Sequence, residues 1–153
     1  MRRTSFGDLV IPFLIIGGAV YVLLRVSYDS IPPLQFYAPI PLLLLGVAEL
    51  IAARRVRAAV RHDPNARPMA AIVIARCVAL GKASALVAAG VAGAAVALLV
   101  RVIPDAGDVR AASNDLGVGI FLLLASLLVL TAGLLLERSG IDPNQGRPPT
   151  VGS

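Results

Sequence analysis

From Cys77 to Val100 the chain runs through 24 residues in which Lys82 is the single charged side chain. As a helix this stretch would be about 36 Å long at 1.5 Å per residue, more than the ~30 Å of hydrocarbon in a bilayer. It offers water no polar face, so it belongs inside a large protein or in a membrane. Composition decides between the two. Of the 153 residues, 58% are hydrophobic and 15% charged, with mean hydropathy +0.84, which leaves too little polar surface for a soluble fold.

Stretches close to the ~20 apolar residues of a membrane helix occur four times, at about residues 9–26, 34–53, 69–102 and 116–136. They predict an all-α protein, a four-span transmembrane helical bundle over residues 1–138, with a polar, disordered cytoplasmic tail over 139–153. Met1-Arg2-Arg3 before the first stretch resembles the start of a signal peptide. The apolar run is longer than such a peptide's core and no A-x-A-like site follows, so it is expected to remain as an anchor. Pro39 and Pro41 stand near the start of the second span, where a missing N–H does least harm. Asn114 or Asp115 is expected to cap the fourth.

Positive charge sets the orientation. Arg2 and Arg3 precede the first span, and Arg54, Arg55, Arg57, Arg61 and Arg67 are expected to fill the link between the second and third. Arg138 and Arg147 follow the fourth. The opposite links hold Asp29, and Arg101 and Arg110 against Asp105, Asp108 and Asp115. Both termini are therefore expected in the cytoplasm, and the location is the cytoplasmic membrane. Tyr28, Phe36 and Tyr37 flank the first outer link, where amphipathic rings settle at headgroup level, and Ile31-Pro32-Pro33-Leu34 stiffens that link.

The net charge of +5 lies mainly beside the spans, with no stacking platform or recognition motif, which argues for membrane lipids as partners and against nucleic acid. A single cysteine, Cys77, and a single histidine, His62, exclude an internal disulfide and a zinc-type ligand cluster. Cys77 reads as a small packing residue and His62 as solvated. No metal site and no cofactor are expected.

The third span carries small residues at every fourth position, Gly81, Ala85, Ala89, Gly93 and Ala97, with Ser84, Ala88 and Ala92 beside them. Small-xxx-small rows let backbones approach, so this helix is expected at the centre of the bundle. Its cations are Arg76, at the interface, and Lys82, about 9 Å further in. Lys82 is the sole lysine beside thirteen arginines. It can snorkel toward the cytoplasm, because helix side chains lean toward their own N-terminus. Glu49 in the second span and Asp8 at the start of the first lie at similar depth, and burial in lipid favours pairing. Asp8, Glu49, Arg76, Lys82 and Ser84 thus form the candidate charge cluster, with Glu49 and Lys82 expected to pair centrally and Asp8 and Arg76 nearer the surface. The cluster reads either as a register-fixing pair or as a headgroup or ion site.

The segment Ala75-Arg76-Cys77-Val78-Ala79-Leu80-Gly81-Lys82-Ala83-Ser84-Ala85 resembles the A-R-x-x-x-x-x-K-A-S-A signature of the small actinobacterial membrane family known as domain of unknown function thirty-one-eighty. The opening from Thr4 to Asp8-Leu9, Pro32-Pro33 and Glu49 are similar too, so the resemblance extends through the fourth span. The opening departs from the family pattern in lacking a basic residue directly before Asp8. The resemblance implies four spans, no assigned activity and genes that lie near those of folate biosynthesis, an association that does not make this protein a folate enzyme. It carries over Asp8, Glu49, Arg76, Lys82 and Ser84 as positions of interest.

Two functional expectations follow, with an enzyme as the third and weakest. The first is a non-enzymatic accessory or scaffold protein that packs against a membrane or cytoplasmic partner or forms a homo-oligomer. The second is a transporter or a lipid- or ion-binding subunit that uses Glu49 and Lys82. No catalytic residues are expected: Ser84 and Lys82 are two residues apart on one helix, so their side chains point about 200° apart.

Overall fold

The computed structural model describes residues 5–27, 35–61, 69–105 and 110–140. The expectations for Arg2, Arg3, Tyr28, Asp29, the Ile31–Leu34 turn, His62, Arg67, Asp108 and the tail beyond Gly140 fall outside these residues. Within them the protein is all helical, with α1 over Phe6–Ser27, α2 over Ile40–Val60, α3 over Ala71–Val102 and α4 over Arg110–Ser139. A short 3-10 turn, Ile103–Asp105, extends α3. Among the described residues three helices are long and apolar enough to cross a membrane: Gly7–Ser27, Ala71–Val102 and Ser113–Ser139.

The helix ends differ from the sequence-based boundaries for local reasons. Pro39 is the N-cap of α2 and Pro41 lies in its first turn, so the helix starts at Ile40 rather than near Leu34. It also runs past Ala53 to Val60. Arg54, Arg55 and Arg57 are therefore helical rather than part of a loop, because arginine and alanine are good helix formers and Ala53 and Val56 continue the buried row. Arg61 closes the helix by donating its backbone N–H to the Arg57 carbonyl at 3.1 Å. In α4 nothing between Arg110 and Asp115 breaks a helix, so Asn114 and Asp115 lie inside it and neither is the N-cap.

In α1 the Ser5 backbone N–H donates to Asp8 Oδ2 at 2.9 Å, and the Asp8 N–H donates to the Ser5 carbonyl at 3.0 Å. This is the reach-back half of a capping box, with the acid three residues beyond the cap.

The helices pack in the order α1, α3, α4, α2. Helix α3 lies along both α1 and α4, and α4 lies along α2. Helices α2 and α3 meet only briefly, and α1 meets neither α2 nor α4 among the described residues. Contact registers give the directions. Gly17 sits on Gly93, and Leu24 clusters with Leu98 and Val102, so α1 and α3 are parallel. Gly140 lies against Val78, Gly133 against Gly81 and Gly119 against Leu99, so α3 and α4 are antiparallel. Gly46 packs on Leu128 and Val129, while Val56 clusters with Leu136, so α2 and α4 are parallel. Phe36, just ahead of α2, stacks on Phe121 of α4 with ring centroids 5.6 Å apart and planes 28° apart. Phe36 is thus a packing ring as well as an exposed one.

Two glycine crossings hold the row together. A Cβ on Gly133 would stand 2.6 Å from the Gly81 carbonyl oxygen, and one on Gly81 would stand 2.7 Å from that of Gly133. On the other side of α3, a Cβ on Gly17 would stand 3.0 Å from the Gly93 carbonyl oxygen, and one on Gly93 would strike the Phe13 carbonyl. Backbones this close need residues without side chains. Gly81, Ala85, Ala89, Gly93 and Ala97 are all buried, but they do not share one face. Each step of four residues turns about 40° past a full helical turn, so the row starts at α4 with Gly81 and reaches α1 by Gly93.

Candidate functional site

Polar side chains in these helices mostly satisfy themselves locally. Ser126 is fully buried and donates to the Leu123 carbonyl at 2.8 Å. Thr131 donates to the carbonyls of Leu127 and Leu128 at 2.9 Å each, and Ser139 to that of Leu135 at 2.6 Å. Such back-bonding keeps a hydroxyl quiet in an apolar helix.

Glu49 is different. It lies on the α2 face formed by Gly46, Glu49, Ala53 and Val56 and is only 2% exposed. Neither of its carboxyl oxygens has a hydrogen-bond partner among the described residues. Lys82, expected to pair with Glu49, donates no hydrogen bond to it. Lys82 is half-buried and engaged in an interaction of its own, as are Arg101, Asn114, Asp115 and Glu137.

The polar side chain that does act on Glu49 is Ser84 of α3. Its hydroxyl donates to the Leu80 carbonyl at 3.0 Å and the Gly81 carbonyl at 3.2 Å, so its proton points along its own helix. Ser84 Oγ also lies 3.1 Å from where a Gly133 Cβ would be. Glu49 of α2, Ser84 of α3 and Gly133 of α4 thus meet at one level. Directly toward the α2 C-terminus, Ala53, Val56 and Leu136 form an apolar plug with Val60, Met69, Ile74 and Cys77 packed against it. Cys77 is half-buried there as a free thiol.

The candidate cluster is therefore divided. Glu49 and Ser84 come together. Asp8 is exposed, caps α1 and sits on the helix that does not touch α2. Arg76 is exposed on α3, and the interaction that holds Asp8 is the cap. Sequence reasoning passed over Gly133, whose signal was the small pair Ala132-Gly133 among the leucines of the second half of α4. It also passed over the burial of Asp115 and Glu137, 5% and 6% exposed. No group of three or more potential metal ligands occurs among the described residues.

Long apolar helices packed through glycine, with a carboxyl group enclosed between them, define a small multi-pass helical membrane protein. The model of the family described as "Protein of unknown function (DUF3180)" matches residues 9–143, and the chain belongs to that family. No curated protein and no solved structure matches it.

Proposed function

We propose that this is a four-span, non-enzymatic accessory or scaffold protein of an actinobacterial cytoplasmic membrane, with both termini in the cytoplasm. Support for the fourth span comes from direction. Because α1 and α3 are parallel, the chain must recross between them, and α2, with 21 residues, is about 31 Å long. Its charged end, Arg54 to Arg57, then lies on the cytoplasmic side with the N-terminus, as the positive-inside bias favours.

The observation that carries the accessory reading is the open order of the helices. With α1 joined only to α3 and α2 mainly to α4, four helices do not close around a pathway, so a single copy is not built as a carrier. The row instead leaves two edge helices for lipid and for a membrane or cytoplasmic partner or a second copy. Ile15 and Leu14 on the outer face of α1 are 65% and 62% exposed.

A photo-crosslinking amino acid at Ile15, tested in the native membrane beside one at Leu44 of α2, separates the outcomes. Crosslinking of Ile15 to one protein at fixed stoichiometry is expected. Crosslinking to lipid alone from both edges would defeat the scaffold reading. Glu49 favours a second reading, a subunit that binds a small ligand in the membrane, because a carboxyl group enclosed without a partner is a functional candidate by default.

A further inference from the structure

The plug of Ala53, Val56 and Leu136, with Val60 and Cys77 packed against it, fixes the relative level of three helix ends. Its residues have arginines close by in the chain: Arg54 follows Ala53, Arg57 follows Val56, Arg61 follows Val60, Arg76 precedes Cys77 and Arg138 stands just beyond Leu136. All of these arginines are exposed. An apolar contact therefore gathers cations from α2, α3 and α4 into a collar at one end of the bundle. The acids near that end are held elsewhere. Helix α2 has none after Glu49, Glu137 is buried and already engaged, and Asp8 caps α1, which does not touch α2.

The length of α2 decides what the collar meets. From Ile40 to Ala53, the stretch before its first arginine, the helix is about 21 Å long at 1.5 Å per residue, short of the ~30 Å of hydrocarbon. Arg61 stands about 32 Å from Ile40 on the same scale. The arginines of α2 thus straddle the boundary of the hydrocarbon and do not clear it. A helix with a short apolar stretch is accommodated by snorkelling of its flanking residues and by thinning of the bilayer, and both bring guanidinium groups to lipid phosphate. Guanidinium is weakly hydrated and meets a phosphate with paired N–H donors. A soluble acidic protein fits this level less well, because it would have to reach Arg54 through the headgroup layer.

From this we infer that the arginine collar is a binding site for the phosphate groups of anionic phospholipid in the cytoplasmic leaflet, with Arg54 and Arg57 of α2, Arg76 of α3 and Arg138 of α4 as donors. The inference rests on the four-span reading, which places α2 in the bilayer with this end toward the cytoplasm.

The test is electron paramagnetic resonance of spin-labelled lipids around the full-length protein in phosphatidylcholine vesicles, comparing labelled phosphatidylglycerol with labelled phosphatidylcholine in the layer that the protein immobilises. Wild type should hold phosphatidylglycerol roughly fivefold more strongly, the equivalent of one basic contact. The combined variant Arg54→Gln, Arg57→Gln and Arg138→Gln should bring the ratio to about one. Arg25→Gln, an exposed arginine at the other end of α1, should leave it nearly unchanged, and an equal loss there would show a net-charge effect and overturn the site. Added salt should weaken the wild-type preference, a check that needs no variant, and indifference to salt would overturn the proposal. At constant ionic strength, inorganic phosphate in large excess should not displace the lipid; displacement would assign the collar to a free anion instead. A ratio of one in folded wild-type protein would overturn the lipid site and leave the collar to an acidic protein. The membrane reading is checked separately in a Cys77→Ala background: a Leu44→Cys variant that reacts with an impermeant maleimide would remove α2 from the bilayer, whatever the lipid preference.

Discussion

The two flanks of α3 are built on the same device and do different things. On one flank α1 crosses at Gly17 and Gly93, and the buried cluster further along the seam is apolar: Leu24, Leu98 and Val102, with Val20 and Leu116 packed on it. On the other flank α4 crosses at Gly81 and Gly133, and beside that crossing the protein encloses Glu49 and Ser84. Close backbone approach is enough to fasten one transmembrane helix to another, as the α1 seam demonstrates. The carboxyl group on the α2 side is therefore not needed for adhesion, and its presence there is a reason to look for chemistry on that flank alone.

The sharpest way to break this contrast is to wedge each crossing in turn. Gly133→Val or Gly93→Val puts a side chain into backbone atoms that cannot give way, with an expected loss of about 2–3 kcal/mol or more. The damage should be local. With Cys77→Ala as background, the disulfide formed by Leu24→Cys with Leu98→Cys should disappear with Gly93→Val and persist with Gly133→Val. The disulfide formed by Val56→Cys with Leu136→Cys should be insensitive to Gly93→Val. Loss of both disulfides from either wedge would mean that the flanks are not independent.

Next in size is Glu49→Met, which keeps the length of the side chain and removes an enclosed polar group without a hydrogen-bond partner. Thermal unfolding in detergent should show a gain of about 1–3 kcal/mol. A loss of stability instead would reveal that the carboxyl group is held by an interaction after all. On the α1 side, Asp8→Ala removes the reach-back bond to Ser5 and should cost about 0.5–1 kcal/mol. Hydrogen exchange should record it as fraying of the first turn of α1, with the α2 flank unchanged.

The smallest effect separates tight glycines and buried hydroxyls from incidental ones. Gly18 and Gly117 meet nothing within 4 Å of an added Cβ, so alanine there should be neutral or stabilise by about 0.5–1 kcal/mol through helix propensity. Ser126→Ala, despite complete burial, should stay within about 0.6 kcal/mol, because its hydroxyl serves only its own helix.

The sequence by itself determined the class of this protein. Apolar runs of membrane length, glycine and alanine at helical spacing and arginines beside the runs leave little besides packed transmembrane helices, because backbone polar groups in hydrocarbon must be satisfied within the helix. It also picked out Glu49 and Ser84 as residues of interest. Only the tertiary structure decided which of the candidates meet. The small-residue row of α3 is written as one line in sequence, but helical drift turns it from α4 to α1, so Gly81 and Gly93 serve different neighbours. Depth along a helix is legible from residue counts. Azimuth around a neighbour is not, because it depends on which helices pack together. Lys82, near Glu49 in depth, donates no hydrogen bond to it, and Asp8 caps its own helix on the far flank. The order α1, α3, α4, α2 is a property of matched surfaces on four helices at once, and no single stretch of the chain contains it.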